Sequence, residues 1–150
     1  MNKTLRQYEN MVATILELKE IPEGILTEPM KEGKWSIIEV VGHLYYWDKF
    51  NLEKMVPYMV EEADLVPFPD HDQHNEEAMS YIADLSVETV IERFVQTRKT
   101  LIEKLAEINK DVRFTIGGKK RKFSGESFIK IFVKHDEHHI NQIHDKLRDR

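Results

Sequence analysis

Seven histidines and no cysteine make the imidazoles the first place to look for chemistry, because a neutral imidazole serves as base, proton shuttle or metal ligand. His135, His138, His139 and His144 crowd the C-terminal stretch. Where that stretch is helical, residues four apart project from one face about a turn from each other, so His135 and His139 aim two ring nitrogens at one point. With Phe128 set at zero on a helical wheel, the apolar residues Phe128, Phe132, Ile143 and Leu147 span roughly zero to 100 degrees. His139 then falls near ~20 degrees, His135 near ~−20 and His138 near ~−80, so His139 faces inward better than its neighbour. His144, at about 160 degrees, points to solvent.

A third imidazole is needed before spacing means metal. His43 lies between Val40 and Trp47 at helical offsets, on a stripe continued by Phe50, and so points into the same interior. A lone imidazole in an apolar layer must find partners for both ring nitrogens. Three inward imidazoles explain one another through a shared cation. Three neutral imidazoles leave a tetrahedral ion one open position, the arrangement of catalytic rather than structural zinc; the same ligand set suits nickel, cobalt or iron. Such a cation lowers the pKa of bound water and deprotonates a bound thiol outright. Without cysteine, a thiolate metal site, a disulfide framework and a cysteine nucleophile are excluded, and any thiol must come from outside.

No carboxylate falls cleanly on either metal stripe. Glu39, one turn before His43, is placed either to orient that ring or to close a capping box with Ser36. Gln142, one turn beyond His139, is a second candidate for orienting a ligand. Asp48 sits about 140 degrees around the helix from His43 and is not expected to be a ligand. Trp35 and Trp47 could line a pocket, but inward aromatics are more often core. His71 and His74, in an irregular acidic segment, are assigned to solvent.

The elements that must position these residues are helical. Leu5, Tyr8, Met11 or Val12, Ile15 and Leu18 give the stripe of a first helix over about Lys3 to Lys19. Pro22, Gly24, Pro29 and Gly33 break the next stretch, a long connection suited to walling a site. Ser36 and Glu39 then start a second helix, expected to reach about Glu62 with a kink at Pro57. A loop with Pro67 and Pro69 leads to a short helix over Ala78 to Ala83, and Ser86 opens a third long helix carrying Val90, Phe94, Leu101, Leu105 and Ile108. Arg113 to Phe123 reads as a small hairpin around Gly117-Gly118, with Lys119 to Lys122 as a solvated basic tip. Ser124 caps a fourth long helix to about Leu147. Four long helices with few strand signals predict an all-α bundle.

At 150 residues the chain is expected to form one domain, 1–150. A net charge of −5 argues against nucleic acid as a partner. The apolar runs are too short to span a bilayer and no basic-then-apolar leader opens the chain, so a cytoplasmic protein with no membrane partner is expected.

The stretch Gly33-Lys-Trp35-Ser36-Ile-Ile-Glu39-Val-Val-Gly42-His43-Leu44 resembles the Trp-Ser and Gly-His-Leu segment of the DinB/YfiT-like four-helix-bundle proteins. His135-Asp-Glu-His138-His139-Ile-Asn-Gln142-Ile143 resembles that family's second signature, His-x-x-x-His followed by a glutamine. The resemblance covers most of the chain, including the hairpin before the last helix. It implies a divalent metal, zinc or nickel foremost, held by His43, His135 and His139, the trio the wheel selects. It further implies a homodimer and a small-molecule substrate. Several relatives are transferases or isomerases using a low-molecular-weight thiol such as bacillithiol. The alternatives are hydrolysis by metal-bound water and a non-catalytic metal-binding stress protein. Asn141 departs from the family pattern, which often has glycine after a basic residue, and alters the surface beside the ligands.

Overall fold

The computed structural model describes residues 2–149. Helix α1 (Lys3–Glu17) is capped by Asn2, whose side chain accepts from the Leu5 amide at 2.8 Å, and it buries Leu5, Tyr8, Met11, Val12 and Ile15 as the periodicity requires. A short 3₁₀ turn and α2 (Glu23–Thr27) carry the chain to α3 (Ile37–Phe50). Ser36 and Glu39 form the expected capping box there, with the Ser36 amide donating to Glu39 Oε1 at 2.9 Å and the Glu39 amide donating to Ser36 Oγ at 3.2 Å.

The second long helix does not continue to Glu62. After Phe50 it widens into a π-helical turn (Asn51–Met55) and then tightens into a 3₁₀ turn (Val56–Tyr58). Pro57 lacks an amide and crowds the preceding turn, so the helix stops there instead of bending through. A second correction concerns α4 (His71–Ile82), which starts well before Ala78. Its Asp70 cap accepts from the Gln73 amide at 3.0 Å. The buried stripe is only His74, Ala78 and Ile82, one polar and one small residue in three, and so it leaves little apolar signal in the sequence. The short helix expected at Ala78 to Ala83 is the last part of this longer one.

Helix α5 (Val87–Ala106), capped by Ser86, and α6 (Gly125–Arg148), capped by Ser124, complete the bundle with α1 and α3, and α4 lies against α3. Between α5 and α6, Phe114 and Phe123 exchange backbone hydrogen bonds at 3.0 and 2.7 Å as an antiparallel bridge. Gly117 and Gly118 take positive φ of 63° and 74° at the turn. The strand pairing itself is longer-range: β1 (Asp64–Leu65) lies parallel to β2 (Thr115–Ile116). Asp64 fixes this two-stranded sheet by accepting from Thr115 Oγ1 at 2.6 Å and from the Gly118 amide at 3.0 Å.

Two apolar clusters fill the bundle, one around Trp47, Leu101, Phe128 and Phe132, the other around Ile15, Leu44, Ile91, Phe94 and Ile143. Arg98, 1% exposed, runs through the middle. Its guanidinium donates to Asp48 of α3 at 2.6 and 3.1 Å, to Asp136 of α6 at 2.8 and 3.2 Å and to the Tyr8 carbonyl of α1 at 2.8 Å. One cation thereby ties all four long helices together, and its planar fork suits two carboxylates in a way a lysine could not. Among the described residues no helix is long and apolar enough to cross a membrane.

Candidate metal centre

Two helices supply the site. The α3 capping box sets where that helix begins, and His43 comes two turns later, facing α6. His135 and His139 lie one turn apart on α6. Their ring atoms converge: His135 Nε2 is 3.0 Å from His43 Nε2 and 3.2 Å from His139 Nε2. A ligand atom from each of the three lies within 4.8 Å of the others. Nitrogens bound tetrahedrally at about 2.0–2.1 Å from zinc stand roughly 3.3 Å apart, so these separations fit one shared ion.

The protonation chemistry fits as well. Burial, with the charges of His135 and His139 adding to it, lowers the His43 pKa to about 3. Burial and the neighbouring His139 lower His135 to about 4, and burial lowers His139. All three rings are therefore neutral at pH 7, each with one lone pair to give. The His139 tautomer is set by Gln142, whose Oε1 lies 2.8 Å from His139 Nδ1. The amide oxygen can only accept, so Nδ1 carries the proton and Nε2 keeps its lone pair.

The sequence candidates sort clearly. His43 and His139 are 5% and 8% exposed and His135 is half-buried; the three come together as the wheel indicates. His138 and His144 point to solvent. Gln142 lies against the His139 ring, its Oε1 at Nδ1. Of the two roles open to Glu39 the structure displays the cap: its carboxylate is engaged with the Ser36 amide, and His43 Nδ1 is buried without a hydrogen-bond partner. Asp48 is no ligand, since it faces Arg98. His71 is exposed, but His74 corrects the expectation of a solvent residue: it is 3% exposed, with its ring 4.1 Å from that of Trp47. Its helix, unrecognised in an acidic stretch, turns it inward.

Trp47 belongs to the core, whereas Trp35 has a different place. Its ring lies 4.9 Å from that of His43. It also lines a cleft of about 510 Å³ with Met30, Val40, His139 and Gln142, rimmed by Lys31 and Lys34. The long Pro- and Gly-punctuated connection thus forms one wall of a cavity that reaches His139 of the cluster. What the sequence did not reveal is the Arg98 network: Arg98 stands in no recognisable motif, and Asp136, though inside the His-x-x-x-His stretch, occupies one of its unspecified positions. An arginine on the inward stripe with Phe94 and Leu101 was the available signal.

A four-helix bundle with a three-histidine cluster able to bind a divalent metal between its second and last long helices is the class that fold and site define. The chain belongs to the DinB superfamily, whose profile matches residues 6–143. Among solved structures it resembles YfiT from Bacillus subtilis, described as a probable metal-dependent hydrolase with an unusual four-helix bundle topology. The TM-score is 0.74 at 18% identity, covering 98% of this chain and 85% of that one. At that identity the likeness speaks for the fold. No curated protein matches the sequence.

Proposed function

We propose that the protein is a metal-dependent enzyme that uses an external low-molecular-weight thiol against a small electrophilic substrate. The observation that carries this reading is the convergence of three neutral imidazole nitrogens in a group that contains no carboxylate. A divalent ion, zinc or nickel foremost, supplies Lewis acidity there, lowering the pKa of a thiol or water molecule that it binds. The chain's own residues do the rest. His43, His135 and His139 present the lone pairs, and Gln142 holds the His139 ring in its tautomer. Trp35, Met30 and Val40 offer the substrate an apolar wall next to His139. A thiol is favoured over water because its ordinary pKa of about 8.5 already lies near neutrality, and no carboxylate stands in the cluster to take a proton from water. A homodimer belongs to the same proposal and would appear in light scattering as twice 17.8 kDa.

Hydrolysis, with water in place of the thiol, is the second reading, favoured by the fold shared with YfiT. The deciding experiment is elemental analysis of untagged protein beside a His43→Ala, His135→Ala, His139→Ala variant, followed by an electrophile panel with and without thiol. Near one metal per chain in the parent, none in a folded variant, and turnover that requires thiol are expected. Turnover that persists without thiol transfers the protein to the hydrolases. Metal uptake with no turnover leaves a metal-binding protein. No metal after reconstitution with zinc, nickel and cobalt refutes all three.

A further inference from the structure

Two of the three ligands raise the same question at the nitrogen that faces away from the cluster, and the structure answers it differently for each. His139 Nδ1 has Gln142 at 2.8 Å. His43 Nδ1 is buried with no hydrogen-bond partner. With Nε2 turned toward the cluster, Nδ1 must carry the ring proton, and a buried donor left without an acceptor is costly.

The neighbours of His43 narrow the choice of acceptor. Glu39 is engaged at the cap. Trp35 sits with its ring tilted at 47° to that of His43, and its indole nitrogen is a donor with no lone pair to give. The third wall is α4, which packs close against α3: a Cβ at Gly42 would come within 2.3 Å of Ile82 Cδ1, and the His74 ring packs at a tilt against Tyr46 and Trp47 at 4.8 and 4.1 Å between ring centroids. Asn75 follows His74 on that helix and is half-buried. Asn75 lies two turns before Ile82 on the same face of α4, turned toward α3 and close enough to His43 to favour its protonated ring; no hydrogen bond to Nδ1 is formed, and presenting the amide oxygen closes that gap.

We infer that Asn75 is the positioning residue for His43, its side-chain oxygen accepting from the buried Nδ1–H and holding Nε2 on the metal. Asn75 then does for the α3 ligand what Gln142 does for His139, and α4 takes part in the site without supplying a ligand. Outer partners of this kind fix both the tautomer and the ring angle. The inference rests on the metal reading, and the test separates the two.

The experiment measures zinc affinity by chelator competition in the parent, Asn75→Leu and Asn75→Asp, with the melting temperature of each metal-free protein. The parent should bind zinc, Asn75→Leu should bind it about 10- to 100-fold more weakly, and Asn75→Asp, which keeps an acceptor, should bind at least as tightly as the parent. Nitrogen-15 NMR of the zinc-loaded parent should place a slowly exchanging proton on His43 Nδ1, which exchanges faster in Asn75→Leu. Binding by Asn75→Leu within threefold of the parent, or Asn75→Asp weakened alongside it, overturns the inference. Should Asn75→Leu fail to fold, Asn75→Asp and the parent spectrum decide, and an Nδ1 proton in fast exchange in the parent overturns it. The competition uses whichever of zinc, nickel and cobalt the parent binds, and a parent that binds none of them refutes the metal reading itself.

Discussion

Stripped of metal, the protein should lose stability as the pH is lowered from 7 to 5, above the range where ordinary surface carboxylates titrate. His43 is held at about 3 and His135 at about 4, whereas an unfolded histidine titrates near about 6.5. Between those values the unfolded chain takes up protons that the folded one refuses. The stability these rings contribute is therefore complete above about pH 6.5 and is lost as the pH falls toward the folded values. At pH 5 each ring withholds about 1.5 pH units of protonation, or about 2 kcal/mol, so the pair removes about 4 kcal/mol. His139 and His74, also lowered by burial, add to the loss. The buried carboxylates oppose it: burial raises Asp48, and it raises Asp136 to about 6. By pH 5 a carboxylate shifted as far as Asp136 returns about 1 kcal/mol, leaving a net loss of about 3 kcal/mol from the groups with stated values. That is a large share of a domain's ~5–15 kcal/mol. Urea midpoints followed by circular dichroism at pH 7, 6 and 5, with chelator present, measure it directly. A His43→Asn variant should show a shallower fall by about one proton. A midpoint that stays level or rises between pH 7 and 5 would refute the claim that the cluster is held neutral.

Replacing Arg98 by Met leaves Asp48 and Asp136 buried without their shared cation and should cost about 3–5 kcal/mol in urea denaturation; a loss under about 1 kcal/mol would mean water already reaches that network. Gly42→Ala should destabilise by about 1–3 kcal/mol, because the added methyl meets the end of the Ile82 side chain. Adding Ile82→Val, which removes that terminal methyl, should restore part of the loss in thermal melts. Gln142→Leu should weaken zinc about 10- to 100-fold in chelator competition while leaving the metal-free melting temperature within a degree or two of the parent.

The convergence of the three histidines was legible because a helix converts spacing into direction. His43, His135 and His139 each sit on a stripe marked by large apolar residues, and the strong caps at Ser36 and Ser124 set the phase of both helices. Gln142 followed from the same arithmetic. Glu39 was not decidable that way, since one carboxylate on the first turn has two reachable partners and only coordinates say which holds it. Helix α4 escaped because its inward face is made of His74, Ala78 and Ile82, too polar and too small to stand out. With α4 went the burial of His74 and the approach of Asn75 to His43. The early end of α3 was hidden for another reason: a proline in a helical pattern predicts disruption but does not say whether the chain bends or stops. The β1–β2 pairing joins residues from two separate connections, a long-range contact that local pattern cannot reveal.

His43 and His135 are 92 residues apart in the chain, while His135 and His139 are neighbours on one turn. On the proposed metal reading an ion would be caught by α6 alone, but gripped by all three rings only once the bundle has closed around it. Gripped in this way, it would act as a removable staple between the first half of the molecule and its last helix. Unlike a disulfide, its strength is set by supply: at free metal about 1,000-fold above the dissociation constant the folded state gains about 4 kcal/mol, and below that constant almost nothing. The lifetime of the protein against heat and proteases would then follow the metal ion available in its surroundings.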